Sequence, residues 1–82
     1  MNYAIWKTTD GKHPRIVHRF TQEACNHRAK EAAREKLNEM WLRVLQRPQI
    51  MRNASGTKDE FQYDHMLGVD LYQRIRFYID KL

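Results

Sequence analysis

Apolar side chains recur at spacings of three and four over residues 21–46, which is the period of an amphipathic helix. The stripe that they form consists of Cys25, Ala29, Ala32, Ala33, Leu37, Met40, Trp41 and Val44. Thr21 can cap the start, because its hydroxyl can accept a hydrogen bond from an amide of the first turn. Pro48 sets the end, because proline disfavours helical geometry at the residue before it. We therefore predict one long central helix over residues 21–46.

Residues 2–8 have the two-residue period of a strand, with Tyr3 and Ile5 on one face and Ala4 and Trp6 on the other. This pattern predicts a first strand. Asp10 and Gly11 then supply the positive backbone angles that a two-residue hairpin turn needs. A second strand should follow, and Pro14 places it at an edge of the sheet because proline cannot donate a ladder hydrogen bond. Residues 2–20 are therefore predicted to form a β-hairpin.

The turn also predicts how the two strands of this hairpin pair, with Thr9 opposite Lys12 and Trp6 opposite Arg15. One face of the hairpin, the expected core face, would carry Tyr3, Ile5, Ile16, His18 and Phe20. The other face would carry Trp6, His13, Arg15, Val17 and Arg19. This second face would present an aromatic ring among cations, with Arg15 stacked on Trp6.

The C-terminal third of the chain fits two kinds of element. Residues 48–57 have the composition of a surface loop. After them, Thr57 and Glu60 have the spacing of a capping box, and Asp70 could cap a further helix. The apolar stripe of that helix would be Leu71, Tyr72, Ile75, Tyr78, Ile79 and Leu82. If the same stretch formed a strand, the side chains of Leu71, Ile75, Phe77 and Ile79 would point inward. We favour the helix, because only Phe77 falls outside its stripe.

The sequence thus predicts one α+β domain over residues 1–82, since a chain of this length supports a single core. Its N-terminal β-hairpin would pack on the long central helix. A helical C-terminal segment, residues 58–82, would cover the bulky half of the helix stripe. The alternative is a ββαββ arrangement in which the C-terminal segment forms a hairpin.

The charge balance suggests an anionic partner. Lysine and arginine number 15 against 10 aspartate and glutamate, which gives a net charge of +5. Such a balance favours contact with nucleic acid or with an acidic protein surface, although many small basic proteins bind neither. The single Cys25 cannot form an internal disulfide, and no apolar run has the length of a membrane span. We therefore expect a protein of the host cell cytosol, with no membrane association.

Enzymatic chemistry has little support in the sequence. There is no glycine-rich phosphate loop, no serine in an elbow context and no zinc-ligand spacing. Glu23, His27 and Glu31 have a four-residue spacing that could hold a metal ion, but a solvated ion-pair ladder is the commoner reason for such a triplet. We therefore expect no enzymatic activity, no cofactor and no metal. A small toxin-like ribonuclease is the minor alternative, with the candidate residues His13, Arg15, His18 and Arg19.

A binding function has more support. The candidate binding residues are Trp6, Lys7, Lys12, His13, Arg15 and Arg19 on the hairpin, and Lys36, Arg43 and Arg47 on one flank of the helix stripe. A ring for stacking and cations for phosphates are what single-stranded nucleic acid requires, unless the C-terminal segment partly buries Trp6. A second interpretation makes the target a protein, because the chain has four tyrosines, two tryptophans and four methionines, which are enriched at interfaces.

Three features carry a resemblance in layout. They are the opening strand Tyr3-Ala4-Ile5-Trp6, the Asp10-Gly11 turn, and the Phe20-Thr21-Gln22-Glu23-Ala24 entry into an alanine-rich helix. In these and in its short length, the sequence resembles small phage-encoded accessory proteins, including host-defence inhibitors of the anti-CRISPR type. The resemblance covers about half of the chain and implies a non-enzymatic protein that docks on a nucleic-acid-handling complex and blocks it. Many such inhibitors imitate DNA with acidic surfaces, so this basic chain would instead meet an acidic protein patch, bound RNA or DNA.

Two functions therefore remain as expectations. The first is an inhibitor or adaptor that engages a host nucleoprotein complex, and the second is a direct RNA- or DNA-binding protein. A homodimer is also plausible, because a core this small gains from a second copy.

Overall fold

The computed structural model describes residues 1–82 as one antiparallel sheet and one α-helix. The elements are β1 (Tyr3–Thr9), β2 (Lys12–Phe20), α1 (Ala29–Leu45), β3 (Met51–Gly56), β4 (Glu60–Gly68) and β5 (Leu71–Lys81). A 3₁₀ turn, Pro48–Ile50, joins α1 to β3. The strands lie in the order β2-β1-β5-β4-β3. Helix α1 packs against one face of this sheet, and no other element covers the opposite face.

The C-terminal segment is not helical, so the predicted fold class is wrong. Residues 58–82 contain β4 and β5, and the loop predicted at residues 48–57 contains β3. The alternative with a C-terminal hairpin includes β4 and β5 but lacks β3. Strand β5 pairs with β1 on one side and with β4 on the other. Residues 75–78 pair on both sides and each end of β5 pairs on one side, and this tertiary pairing overrides the helical spacing of its apolar residues.

The predicted capping box at residue 57 serves a tight turn instead of a helix. The Thr57 amide donates to the Glu60 carbonyl at 2.7 Å, and the Thr57 hydroxyl accepts from the Asp59 amide at 3.3 Å. These bonds close the connection between β3 and β4. Asp70 likewise lies in the turn between β4 and β5, with φ of 56°, and caps no helix. Short polar side chains satisfy turn amides as well as helix amides, so the same spacing fits both structures.

The central helix begins at Ala29, not at residue 21 as predicted. The Thr21 hydroxyl does accept a hydrogen bond from the Ala24 amide at 3.2 Å. The turn that it closes does not continue, because Asn26 and His27 have φ of 50° and 62° in the left-handed region. Two successive left-handed residues cannot belong to a right-handed helix. The predicted end of the helix, at residue 46, lies within one residue of the observed end.

The core lies between α1 and the sheet. Its fully buried large side chains are Ile5, Leu37 and Phe61. Where α1 approaches the first hairpin its buried residues are alanines, and farther along Trp41 packs on Phe61 with ring centroids 5.0 Å apart. The C-terminal segment therefore covers the bulky part of the helix stripe, but it does so with strands and not with the predicted helix. It supplies Phe61 and, at a further 5.0 Å, Phe77.

The first hairpin forms as predicted, with its turn at Asp10 and Gly11. Both residues have positive φ, of 53° and 71°, and Thr9 pairs with Lys12. Strand β2 lies at the edge of the sheet, as predicted from Pro14.

Two irregularities in the pairing change the rest of the hairpin register. Trp6 pairs with Ile16, and Arg15 pairs with Lys7. The predicted contact of Arg15 with Trp6 is therefore wrong, because adjacent residues of β1 point to opposite faces. Val17 turns toward the core, where the predicted register had placed Ile16.

Candidate binding surface

The sheet face opposite α1, called the open face below, brings together side chains from all five strands. Directly paired residues of an antiparallel sheet point to the same side, so the register defines this face. It carries Ile16 and Arg19 of β2; Ala4, Trp6 and Thr8 of β1; Tyr72, Arg74, Arg76, Tyr78 and Asp80 of β5; Glu60, Gln62, Asp64 and Met66 of β4; and Arg52 of β3. At its centre, Trp6 of β1 and Tyr78 of β5 lie opposite each other on neighbouring strands.

Arg76 is held in place beside this aromatic pair. Its guanidinium lies 4.5 Å from the centroid of the Tyr78 ring, and its Nε donates to Glu60 at 3.0 Å. A second guanidinium nitrogen also contacts the Glu60 carboxylate. The group is thus fixed by a cation–π contact and by a forked ion pair, although both partners are exposed and the ion pair adds little stability.

Asp64 organises the other half of the open face. Its carboxylate lies 2.9 Å from Nε of Arg74 and 3.6 Å from Nε of Arg52, and it accepts from the Asn53 amide group at 2.8 Å. The Arg52 guanidinium also stacks 3.5 Å above the ring of Tyr72. Only 13% of the Asp64 side chain is exposed. One largely buried carboxylate therefore orients groups from β3 and β5.

The turn between β4 and β5 carries exposed apolar side chains at one end of the sheet. Val69 is 94% exposed, and Leu67 and Leu71 are each more than half exposed. Met66 and Tyr72 pair with each other on the open face beside this turn. We call Leu67, Val69 and Leu71 the apolar tip.

Three exposed cations without a carboxylate partner lie on strand β2 of the first hairpin. The hairpin cations, defined as Lys12, Arg15 and Arg19, are exposed and have no carboxylate within 4.0 Å. The one acidic residue of the hairpin, Asp10, accepts a hydrogen bond from the Arg74 amide at 2.9 Å in the turn. Anions are therefore attracted to strand β2 more than to strands β3 and β5, whose open-face arginines are paired with carboxylates.

The structure brings together only some of the hairpin residues singled out in the sequence. Trp6 and Arg19 share the open face. Lys7 and Arg15 pair on the helix side, where Nζ of Lys7 lies 5.7 Å from the ring of Phe77. Lys12 and His13 lie at the turn end of β2.

The three helix-flank candidates lie apart from the hairpin. Lys36 and Arg43 both approach the carboxylate of Glu39, at 3.6 and 2.9 Å. Arg47 follows the end of α1 and has no carboxylate partner. The nine candidates are thus spread over both faces of the sheet.

Sequence reasoning missed the main residues of the open face because they lie on segments interpreted as helix or loop. The missed residues are Arg52, Tyr72, Arg74, Arg76 and Tyr78. One signal was present, namely an aromatic or arginine side chain at every second position from residue 72 to residue 78. Trp6 is half-buried and its indole N–H has no hydrogen-bond partner, so the interpretation in which β5 partly covers it is nearer the structure.

No helix has the length and apolar character that a membrane span requires. No three side chains among histidine, cysteine, aspartate and glutamate converge on a point where they could bind a metal ion. Glu23 and His27, two members of the triplet considered for metal binding, precede α1, and Glu31 lies within it. The triplet therefore does not share one helix face.

Comparison of the chain with protein-family models, with curated proteins and with solved structures gave no match. The open face, the apolar tip and the hairpin cations are therefore the features of the molecule that bear on its function.

Proposed function

We propose that the chain is a non-enzymatic binding protein of the cytosol that docks on a nucleic-acid-handling complex and blocks it, as a host-defence inhibitor would. The observation that carries the proposal is the open face, which presents aromatic and arginine side chains that no other element of the chain covers. The exposed apolar tip lies at one end of this face. Tyrosine, tryptophan and arginine are the residues that most often dominate protein interfaces.

The side chains of this surface are already ordered. Arg76 is held by Glu60 and Tyr78, and Arg74 is held by Asp64. A group that is fixed before binding loses less conformational entropy on association, so more of its contact energy contributes to affinity. The near balance of arginines and carboxylates suits a protein surface of mixed charge better than a phosphate backbone.

The hairpin cations complete the proposal at the edge of the sheet. They would meet acidic residues or bound nucleic acid of the target and would raise the rate of association through long-range attraction. This arrangement gives a role to three cations that no carboxylate of the chain neutralises.

The test compares two double variants in capture of the target from a nuclease-treated host lysate. Val69→Gln with Arg76→Ala alters the docking surface. Leu42→Gln with Arg28→Ala is the matched control, because Leu42 is an exposed apolar residue on α1 and Arg28 an exposed ion-paired arginine just before it. We expect the first variant to bind a nucleic-acid-handling complex at least about tenfold more weakly and the control to bind normally.

Equal loss of binding in both double variants would contradict the proposal. Circular dichroism should show that both are folded, because all four positions are exposed. The captured complex should also lose its activity on nucleic acid when the wild-type protein is added.

A second function, direct binding of single-stranded RNA or DNA, is favoured by one observation. Trp6 and Tyr78 lie side by side on neighbouring central strands, where successive bases could stack. If the hairpin cations neutralise three phosphates, the slope of log affinity against log salt concentration should be about −2. Arg15→Ala with Arg19→Ala should then flatten the slope and leave the melting temperature unchanged. Absence of binding to bare oligonucleotides at low salt would eliminate this function.

A further inference from the structure

A pocket lies on the helix side of the sheet, at the end of α1, away from the open face. It encloses about 430 Å³ between the helix end, the following turn and strands β3 and β4. Its apolar lining includes Val44, Ile50 and Tyr63, and its basic lining consists of Arg43, Arg47 and His65. No carboxylate lines it.

We propose that this pocket binds a nucleoside monophosphate, either free or as the terminal nucleotide of a strand. The phosphate would contact the guanidinium groups of Arg47 and Arg43, and the base would lie against Ile50 and the ring of Tyr63. The site is separate from the open face, so this inference does not depend on the docking function proposed above.

The charge of the lining favours an anion. Arg47 has no carboxylate within 4.0 Å, so its guanidinium is free to bind a phosphate. Arg43 contacts Glu39 at 2.9 Å, but Arg43 is 72% exposed and Glu39 50% exposed. Exposed ion pairs of this kind are weak, and a guanidinium binds a phosphate through two parallel hydrogen bonds, so a bound phosphate can compete for Arg43.

The C-terminal end of α1 repels an anion less than a helix end with unpaired carbonyls would. The C-terminal end of a helix carries partial negative charge on its last carbonyls. Two of these carbonyls already accept hydrogen bonds, Arg43 O from the Gln46 amide at 3.2 Å and Val44 O from the Arg47 amide at 3.0 Å. The two guanidinium groups of the lining outweigh the remaining partial charge.

The rest of the lining suits a ring of the size of a nucleobase. The Tyr63 ring is fixed by stacking on Phe61 at 6.3 Å between centroids and by an edge contact with His65 at 6.5 Å. Burial raises the pKa of the Tyr63 hydroxyl, so the group remains a protonated hydrogen-bond donor at neutral pH. A volume of 430 Å³ is within the range of small-molecule sites and leaves room for a base, a ribose and a phosphate.

The test is calorimetric titration with adenosine monophosphate, adenosine and inorganic phosphate. We expect the monophosphate to bind more tightly than either fragment, and Arg47→Gln to weaken its binding about tenfold. Arg28→Gln is the matched control for Arg43→Gln, because Arg28, the residue before α1, is also 72% exposed and also pairs with a glutamate of α1, Glu31. We expect Arg43→Gln to weaken binding a fewfold and Arg28→Gln to leave it unchanged.

The proposal is overturned if millimolar adenosine monophosphate does not bind, if inorganic phosphate binds equally well, or if Arg28→Gln weakens binding as much as Arg47→Gln does. The two sources are separated by an oligonucleotide with and without a 5′-phosphate. Tighter binding of the phosphorylated form assigns the site to a strand end, and binding of the free monophosphate alone assigns it to a free nucleotide. The Val69→Gln, Arg76→Ala variant should bind the monophosphate normally, which distinguishes this site from the docking surface.

Discussion

Asp64 shows how much of the open face depends on a single residue. Its carboxylate is shared by Arg52, Asn53 and Arg74, and its side chain is mostly inaccessible to solvent. If the carboxylate is removed, the two arginines lose their counter-ion, and if the arginines are removed, a largely buried negative charge is left unpaired. Either change destabilises the fold.

We expect Asp64→Asn to lower the free energy of unfolding by about 1–3 kcal/mol, since two arginines lose their counter-ion. Asp80→Asn is the control on the same face, because Asp80 is exposed and accepts a hydrogen bond only from the adjacent Lys81 amide. Urea denaturation measures the free energy of unfolding of both variants. A loss for Asp80→Asn as large as that for Asp64→Asn would show that the network around Asp64 has no special role.

Asp59 couples stability to pH. Its carboxylate accepts a hydrogen bond from Nε of Arg34 at 2.7 Å, and this bond is the main reason that its pKa lies below the ordinary value. Because the pKa is lower in the folded chain, the stabilisation is present above the pKa of the unfolded chain, about 4, and is lost as the pH falls through the folded value.

Arg34→Gln should therefore melt at a lower temperature than the wild type at pH 6, and the difference should vanish as the pH falls toward 2. Thermal melts between pH 2 and pH 7 check this. A difference in melting temperature that stays constant with pH would indicate that Arg34 contributes packing and not charge.

At the scale of the secondary-structure elements, the sequence predicted the parts whose determinants are local. The Asp10-Gly11 turn, the first strand and the end of the helix each depend on a few neighbouring residues, and these predictions agree with the structure. The helix start was wrong because a good capping residue, Thr21, closes an isolated turn. The sequence shows that a hydroxyl can cap, but not whether the following residues continue the helix.

The C-terminal strands could not be predicted because their determinants are remote. The apolar residues of β5 fit both periods, and the choice depends on pairs such as Ile5 with Ile79, at opposite ends of the chain. The residues of the candidate site could not all be predicted for the same reason. Trp6 and Arg19 were identified from the sequence, but Tyr78 becomes relevant only once β5 lies beside β1.

Gln22 caps the true start of α1 from a distance of seven residues. Its side-chain carbonyl accepts a hydrogen bond from the Ala29 amide at 3.2 Å. We expect Gln22→Ala to cost about 1 kcal/mol of stability, as loss of a helix cap does. The exposed neighbour Glu23 serves as the control, and urea denaturation should show Glu23→Ala within about 0.5 kcal/mol of the wild type. Equal effects of the two changes would argue against the cap.

Gly56 allows α1 and the sheet to approach each other. A Cβ at this position would lie 3.0 Å from Cβ of Phe61 and 3.1 Å from the ring of Trp41. We expect Gly56→Ala to destabilise the protein by about 1–3 kcal/mol through overpacking. Gly68→Ala is the control, because a Cβ there would meet no atom within 4 Å. If both glycine variants melt at the same temperature, the close approach is not limiting.

The molecule as a whole is thin, with principal extents of 46, 25 and 16 Å. Only eight of its 82 residues are buried, so its stability should lie near the low end of the range for small domains. The expectation of a homodimer stays a prediction. If it is correct, the melting temperature should rise over a hundredfold increase in protein concentration. A melting temperature that does not change with concentration would contradict it.

The strand order β2-β1-β5-β4-β3 has a consequence for biosynthesis. The last of the five strands to be made occupies the middle of the sheet, and the Leu82 amide donates to the Asn2 carbonyl at 3.0 Å. While the ribosome is still translating β5, the first hairpin and the β3–β4 pair have no shared partner, so the nascent chain cannot complete its core. The core must wait until β5 has left the ribosome, and until then unpaired strand edges are available to chaperones or to other nascent copies.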